Sequence, residues 1–514
     1  MSVEGLPQRA EAAVAAALED LRGALPGLEA QARVEHVGRV RGAADGVATA
    51  GGLPGARLGE LVEIEGVLAK VEAMTSDELR LVLLGDPARV EAGQRVRRWG
   101  RALTVPVGPE LFGRVLDPLG RPVDGRGPLG RTQRAPVDGP TVPLAEREPV
   151  SRPLRTGVFV IDTLIPVGRG QRQLVIGDRA TGKTTLCLDA LAAQGPDVVV
   201  VYVAIGQRGS QLATHVEWLR QRGALTHGFV VAADADAPLG LIHLAPYSAC
   251  TMAEELMRRG HDVLIAFDDL TTHAHAHRTL ALLLGRPVGR EAFPVDVFYA
   301  HARLLERATQ LSARLGGGSL TALPVIETQA GDLTGYIPTN LVSITDGQVR
   351  LDAGLAAAGQ LPAVDVGLSV SRVGGKAQPA PLKQVGGRVK HDYAQFLELE
   401  IFTRLGTHLE EATQAVIERG RRVREALKQV AGSPLSWAET VARAALLRTP
   451  EVTRVPEAAL RAALADAVTR MWRHDPDALA ELDAGRGVEP ARMQALLDAG
   501  RLALSHSASE ASEV

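Results

Sequence analysis

The chain has 514 residues, too many for one hydrophobic core, so two to four domains are expected. Lys plus Arg is 57 and Asp plus Glu is 60, a net charge of -3 that argues against nucleic acid or an acidic membrane surface as a direct partner. Aromatic residues make up 3%, which leaves few stacking platforms for single-stranded nucleic acid.

Residues 8–33 are rich in Ala, Glu, Leu and Arg, with Ala12, Val14, Ala17 and Leu21 near helical spacing. This predicts an N-terminal helix within residues 1–33. Nothing there resembles a signal peptide, and no run of 18 or more uncharged apolar residues follows anywhere. From Val34 to Val105, short Val/Leu/Ile runs alternate with glycines, as in Gly59-Glu60-Leu61-Val62-Glu63-Ile64-Glu65-Gly66. Short strands with glycine turns predict a β-barrel over 34–105. Leu116–Pro149 is Pro/Gly-rich and reads as an extended connector.

Strands and helices then alternate to about Val349, the pattern of a mainly parallel sheet covered on both faces. Val198–Ala204 is one central strand and Val263–Phe267 another. The nucleotide-binding unit is expected over 106–384 and a helical domain over 385–514. The polar tail from Ser505 to Val514 is expected to be disordered. Cys187 and Cys250 sit in apolar stretches and suit a reducing compartment.

Within the central unit, Gly177-Asp178-Arg179-Ala180-Thr181-Gly182-Lys183-Thr184 has the spacing of a phosphate-binding loop. A short apolar strand precedes it and a helix follows, which places phosphates at a helix N-terminus. The loop N–H groups would cradle the phosphates of ATP or ADP. Lys183 would reach the outer phosphates, and the Thr184 hydroxyl would hold Mg²⁺. Asp268 ends the second apolar strand, where a carboxylate can complete the magnesium shell. After Val198–Ala204 the chain runs into Ile205-Gly206-Gln207-Arg208. A nucleotide-hydrolysing site wants a carboxylate here, and Gln207 is an amide that accepts no proton. An amide still orients water in some GTPases, so slow turnover stays open.

These stretches resemble the α subunit of the F-type rotary ATP synthase. Further family-like motifs are Gly168-Arg169-Gly170-Gln171-Arg172, Leu244-Ala245-Pro246-Tyr247, Gly289-Arg290-Glu291-Ala292-Phe293-Pro294 and Thr328-Gln329-Ala330-Gly331-Asp332. The likeness runs from about Gly113 to Gln429 and implies a multi-domain α/β fold. That fold has an N-terminal β-barrel, a central RecA-like phosphate-loop domain and a C-terminal helical domain. The resemblance also implies a non-catalytic nucleotide site in a ring that alternates with catalytic β subunits. A γ subunit would form the central stalk. A peripheral stalk and a membrane sector would complete an assembly at the cytoplasmic face of a bacterial inner membrane. The family's arginine in Leu368-Ser369-Val370-Ser371-Arg372-Val373-Gly374 projects into the neighbouring catalytic site, which implies that Arg372 acts in trans. Ser343 resembles an interface position, and Pro362 and Gln429 resemble nucleotide-pocket positions.

The chain also departs from its family. Ala180 stands where the loop usually has Gln, Leu361-Pro362 replaces Arg-Pro, and Lys428-Gln429-Val430-Ala431-Gly432 shortens a polar segment. Each lost hydrogen bond costs about 0.5–1.5 kcal/mol, so base recognition is expected to be weak. Histidines replace Gln, Val and Tyr at His273, His275 and His277. His273 and His277 share a helical face, which permits a metal pair, a pH-sensitive helix or plain packing. Two other readings stay open. A secretion-type catalytic ATPase would want Glu at position 207, and a Rho-like RNA translocase would want basic and aromatic faces. Proton or sodium coupling is not written in this chain.

Overall fold

The computed structural model describes residues 37–139, 141–403 and 410–510. The expected N-terminal helix lies outside the described residues. Strands β1 (Val37–Ala44), β2 (Val47–Gly51), β3 (Glu60–Ile64), β4 (Val67–Met74), β5 (Leu79–Leu83) and β6 (Arg95–Ala102) close into a barrel in the order β1-β2-β5-β4-β3-β6. Along β4, Val67, Ala69 and Val71 alternate inward while the residues between them stay half-buried. Closure leaves no strand edge for another chain to pair with.

The second sheet has 10 strands. Its main path uses β7 (Val115–Leu116), β8 (Leu174–Asp178), β9 (Val198–Gln207), β10 (Gly228–Asp234), β11 (Asp262–Asp268), β12 (Ser319–Thr328), β13 (Gly347–Leu351) and β14 (Val370–Ser371). They lie in the order β14-β13-β8-β12-β11-β9-β10-β7. All these neighbours are parallel except the β13–β14 pair. β9 is buried from Val198 to Ile205, as a strand covered on both faces requires. Helices α1 (Lys183–Ala192), α2 (Gly209–Gln221), α3 (Leu239–Arg258), α4 (Leu270–Leu283), α5 (Val297–Leu305) and α6 (Tyr336–Ile344) connect or cover the strands. The expected connector is mostly irregular, with Gln133–Pro136 pairing back on Thr104–Val107.

The C-terminal part is helical: α7 (Ala380–Thr403), α8 (Glu411–Ala426), α9 (Trp437–Leu446), α10 (Leu460–His474), α11 (Pro476–Asp483) and α12 (Pro490–Glu510). Here the structure corrects one expectation, because Ser505–Glu510 continues α12 rather than forming a disordered tail. Buried Ala503, Leu504 and Ala508 hold that last stretch to its neighbours. The hydroxyls of Ser505 and Ser507 donate to the carbonyls of Arg501 and Ala503, so the serines do not oppose the helix.

Candidate functional site: a phosphate loop with an amide partner

β8 leads into the loop 179–182 and α1 begins at Lys183. Two positions require unusual backbone. Gly182 caps the helix with φ 96°, and Ala180 sits at φ 63°, a left-handed conformation that costs a side-chain-bearing residue energy. Gly177 is fixed by space instead, since a Cβ there would stand 2.5 Å from the Leu351 carbonyl oxygen.

Lys183 is buried, and its Nζ donates to the Asp178 carbonyl at 2.6 Å. Thr181 Oγ1 donates to the same carbonyl at 2.8 Å. Burial pushes the Lys183 ammonium's pKa down, against the pull of Glu327, Asp269, Asp268 and Asp178. The Asp178 carboxylate is taken up within the protein by Thr328 Oγ1 at 2.6 Å and the Gly331 N–H at 2.8 Å. The Thr328 bond is the main reason its pKa lies below the usual carboxylate range. Asp178 therefore offers a ligand its backbone more than its side chain. Arg179 is exposed at the tip of the loop.

The far wall is the C-terminal end of β11. Thr184 Oγ1 donates to Asp268 Oδ2 at 2.8 Å, so the two oxygens expected to hold magnesium converge. The same carboxylate oxygen accepts from the Tyr202 hydroxyl at 2.9 Å and from Gln207 Nε2 at 2.7 Å. Gln207 Nε2 also lies 2.8 Å from the Tyr202 hydroxyl, and His215 Nδ1 sits 3.2 Å from Gln207 Oε1. Asp269 caps α4 by accepting from the Thr272 N–H at 2.7 Å, and burial pushes its carboxyl up to about 6. Several carboxylates thus face one ammonium. This oxygen-rich, negative setting suits a hard divalent cation.

The remaining predicted residues divide into two groups. Pro362 and Gln429 line a cavity of about 570 Å³ beside the loop, together with Ala180, Thr181 and Gly182. Arg372 and Ser343 lie elsewhere. Arg372 is exposed, its N–H donates to the Asp346 carbonyl at 3.0 Å, and its Nη1 donates to the Thr345 carbonyl at 3.4 Å. Ser343 is exposed near the end of α6, three residues before Asp346, and donates to the Asn340 carbonyl at 2.6 Å.

Sequence reasoning missed Tyr202, His215 and Glu327. Tyr202 carried a signal: it is the one hydroxyl in the otherwise apolar run Val198–Ala204, and a buried phenol must find a partner. His215 and Glu327 carried none, because α2 and β12 reach the site only through the fold.

His273 and His277 of α4 are packed, not arranged as ligands, and His275 is exposed. Among the described residues, no group of three or more His, Cys, Asp or Glu is placed to hold a metal ion. His273 and His277 stack on His243 of α3, with ring centres 4.9 and 5.0 Å apart.

The model of the ATP synthase alpha/beta family, nucleotide-binding domain, matches residues 157–371. That of the ATP synthase alpha/beta chain, C terminal domain, matches residues 378–501. ATP synthase subunit alpha 2 of Syntrophotalea carbinolica is 51% identical over 449 residues, 87% of this chain and 86% of that one. ATP synthase subunit alpha 3 of Paraburkholderia xenovorans is 48% identical over 497 residues, 96% of this chain and 94% of that one. ATP synthase subunit alpha of Streptococcus gordonii is 52% identical over 404 residues, 78% of this chain and 81% of that one. With its barrel, phosphate-loop sheet and helical end in the same chain, the protein belongs to the ATP synthase alpha/beta family, among the alpha subunits.

Proposed function

We propose that this chain binds ATP or ADP with Mg²⁺ at a site that does not itself turn over. It stands in a ring alternating with catalytic β subunits, around a γ subunit. There it contributes Arg372 to a neighbour's site during ATP synthesis or hydrolysis coupled to ion transport. One observation carries the reading. The group beside Asp268 and Thr184 is the Gln207 amide, which donates to Asp268 at 2.7 Å and cannot take a proton from water. A secretion-type motor would need a carboxylate at that position.

Lys183, Thr184 and the loop N–H groups would bind the phosphates, and Thr184 with Asp268 would hold the metal. Bound Mg²⁺ would supply charge neutralisation at the phosphates. Arg372 supports action on a neighbouring chain because it is exposed, permanently charged and held by backbone carbonyls. Among the described residues no helix is long and apolar enough to cross a membrane. Attachment to the cytoplasmic face of a membrane would run through the stalks and the membrane sector, with no nucleic acid involved.

The test is biochemical. The purified chain should bind magnesium nucleotide with negligible turnover, and turnover should appear when the companion β chain is added. Robust hydrolysis by the chain alone would refute the non-catalytic assignment.

A further inference from the structure

The cavity beside the phosphate loop has an apolar lining from Val158, Leu186, Leu361, Pro362, Val430 and Ala431. Leu361 is 51% exposed and Val430 66% exposed, so two large apolar side chains stand in water at this cavity. Isolated, each would be ordinary. Together at one cavity they mark a contact surface awaiting a flat apolar partner.

Four polar side chains of the lining, Gln429, Lys428, Arg461 and Asp189, each already have a partner inside the protein. Gln429 Oε1 accepts from the Phe159 N–H at 2.8 Å, and its Nε2 donates to the carbonyls of Gly157 and Ser433, both at 2.7 Å. Both amide hydrogens are therefore used. Lys428 Nζ lies 2.5 Å from Glu425 Oε2, and Arg461 Nε donates to Glu425 Oε1 at 2.8 Å. Asp189 Oδ1 accepts from the Gly432 N–H at 2.8 Å.

A site rejects the wrong base strongly only when its own polar groups are left unpaired by it. Here each of those four side chains keeps a protein partner whether or not a base is present. We propose that the pocket holds a nucleobase by apolar contact rather than by reading its edge. The chain's site then takes purine and pyrimidine nucleoside triphosphates with similar affinity. This rests on the nucleotide-binding reading above and assigns the ligand class of that site.

Calorimetric titration of the full-length chain with the magnesium salts of ATP, GTP, ITP, CTP and UTP, and with magnesium triphosphate, tests it. The nucleotides should fall within about tenfold of one another, with the larger purines ahead. The double variant L361S/V430S should weaken all nucleotides alike and leave inorganic triphosphate unchanged. ATP binding more than about thirtyfold tighter than both GTP and ITP would overturn the inference while leaving the nucleotide site standing. Preference for ATP, GTP and CTP over ITP and UTP would overturn it too, and would assign the edge reading to the second oxygen of Asp189. Binding by neither nucleotides nor triphosphate would overturn the nucleotide site itself, and this inference with it.

Discussion

Arg372 and Lys183 lie at opposite ends of one sheet. Lys183 follows the C-terminal end of β8, where Gly177 stands opposite Leu351 of β13. Arg372 follows β14, whose Ser371 pairs with Gly347 at the start of β13. Asp346, which holds the Arg372 N–H, also accepts from the N–H of Arg172, just before β8. From Arg172 to Asp178 an extended chain rises roughly 20 Å, beyond the reach of an arginine side chain. Arg372 cannot serve its own chain's phosphate loop. In a reconstituted ring, Arg372→Ala should lower turnover by on the order of 10³, and Arg372→Lys should recover little because the planar fork is lost. Nucleotide affinity of the isolated chain should not change. A drop in ring turnover below about tenfold would remove Arg372 from the chemistry.

Gln207 occupies the flank of the candidate metal site as a donor. Replacing it with glutamate puts a second negative charge where an N–H now donates to Asp268 at 2.7 Å. Without metal, Gln207→Glu should lower the melting temperature by the equivalent of about 1–3 kcal/mol. Mg²⁺ should restore more stability to the variant than to the parent. Thermal shift across a magnesium titration reads both, and equal magnesium responses would show that position 207 does not face the metal.

The barrel, the parallel sheet and the phosphate loop were legible because each has a local pattern. β4 alternates with period two, β9 is continuously apolar, and Gly177–Thr184 is a contiguous motif. The meeting of Thr184 with Asp268 was legible too, as the first turn of a helix facing a strand end. What was not legible depends on side chains choosing among partners. Gln429 lines the cavity beside the loop, but nothing in the sequence says that its amide joins the backbone of Gly157, Phe159 and Ser433. The end of α12 misled because a polar composition hides the buried stripe of Leu504 and Ala508. Packing was among the readings open for the histidines of α4, but the partners of His273 were not legible, since His243 and His301 come from α3 and α5.

That histidine stack sets a pH dependence. His273 and His301 are buried and His243 is half-buried, and Nδ1 of His243, Nε2 of His273 and Nδ1 of His301 have no hydrogen-bond partner among the described residues. Burial, helped by His277, pushes His301 down to about 3 from the usual 6.5. Burial pushes His243 and His273 well below it; His277 and His301 oppose protonation of both, as do Lys70 and Arg286 at His243 and His243 at His273. A histidine with a depressed folded pKa binds its proton more readily when unfolded. Its stabilisation is therefore complete above about 6.5 and is lost as the pH falls toward the folded value. Each contributes a slope of up to about 1.4 kcal/mol per pH unit. Asp162 and Asp269 oppose this below about 6, because burial raises their pKa to about 6 and folding then takes up protons. Melting temperature should fall between about pH 7 and pH 5, and the slope should flatten in the double variant H243Q/H273Q. An unchanged slope would exclude the stack as its origin.

The C-terminal helices offer a test in which packing reverses a propensity. Gly420 lies in α8, where replacing glycine with alanine ordinarily gains up to about 1 kcal/mol. Here an added Cβ would stand 2.1 Å from Cβ and Cγ of Phe396 on α7. Phe396 is 1% exposed, and the Arg424 guanidinium lies over its ring, 4.6 Å from the centre. The ring has no space to retreat into, so α7 and α8 must separate. Gly420→Ala should destabilise by about 1–3 kcal/mol. Gly387→Ala, on α7 with nothing within 4 Å of the added Cβ, should be neutral or stabilising. Chemical denaturation of both variants decides the matter. If the two alanines act in the same direction, helix propensity governs this part of the chain and close contact between α7 and α8 does not.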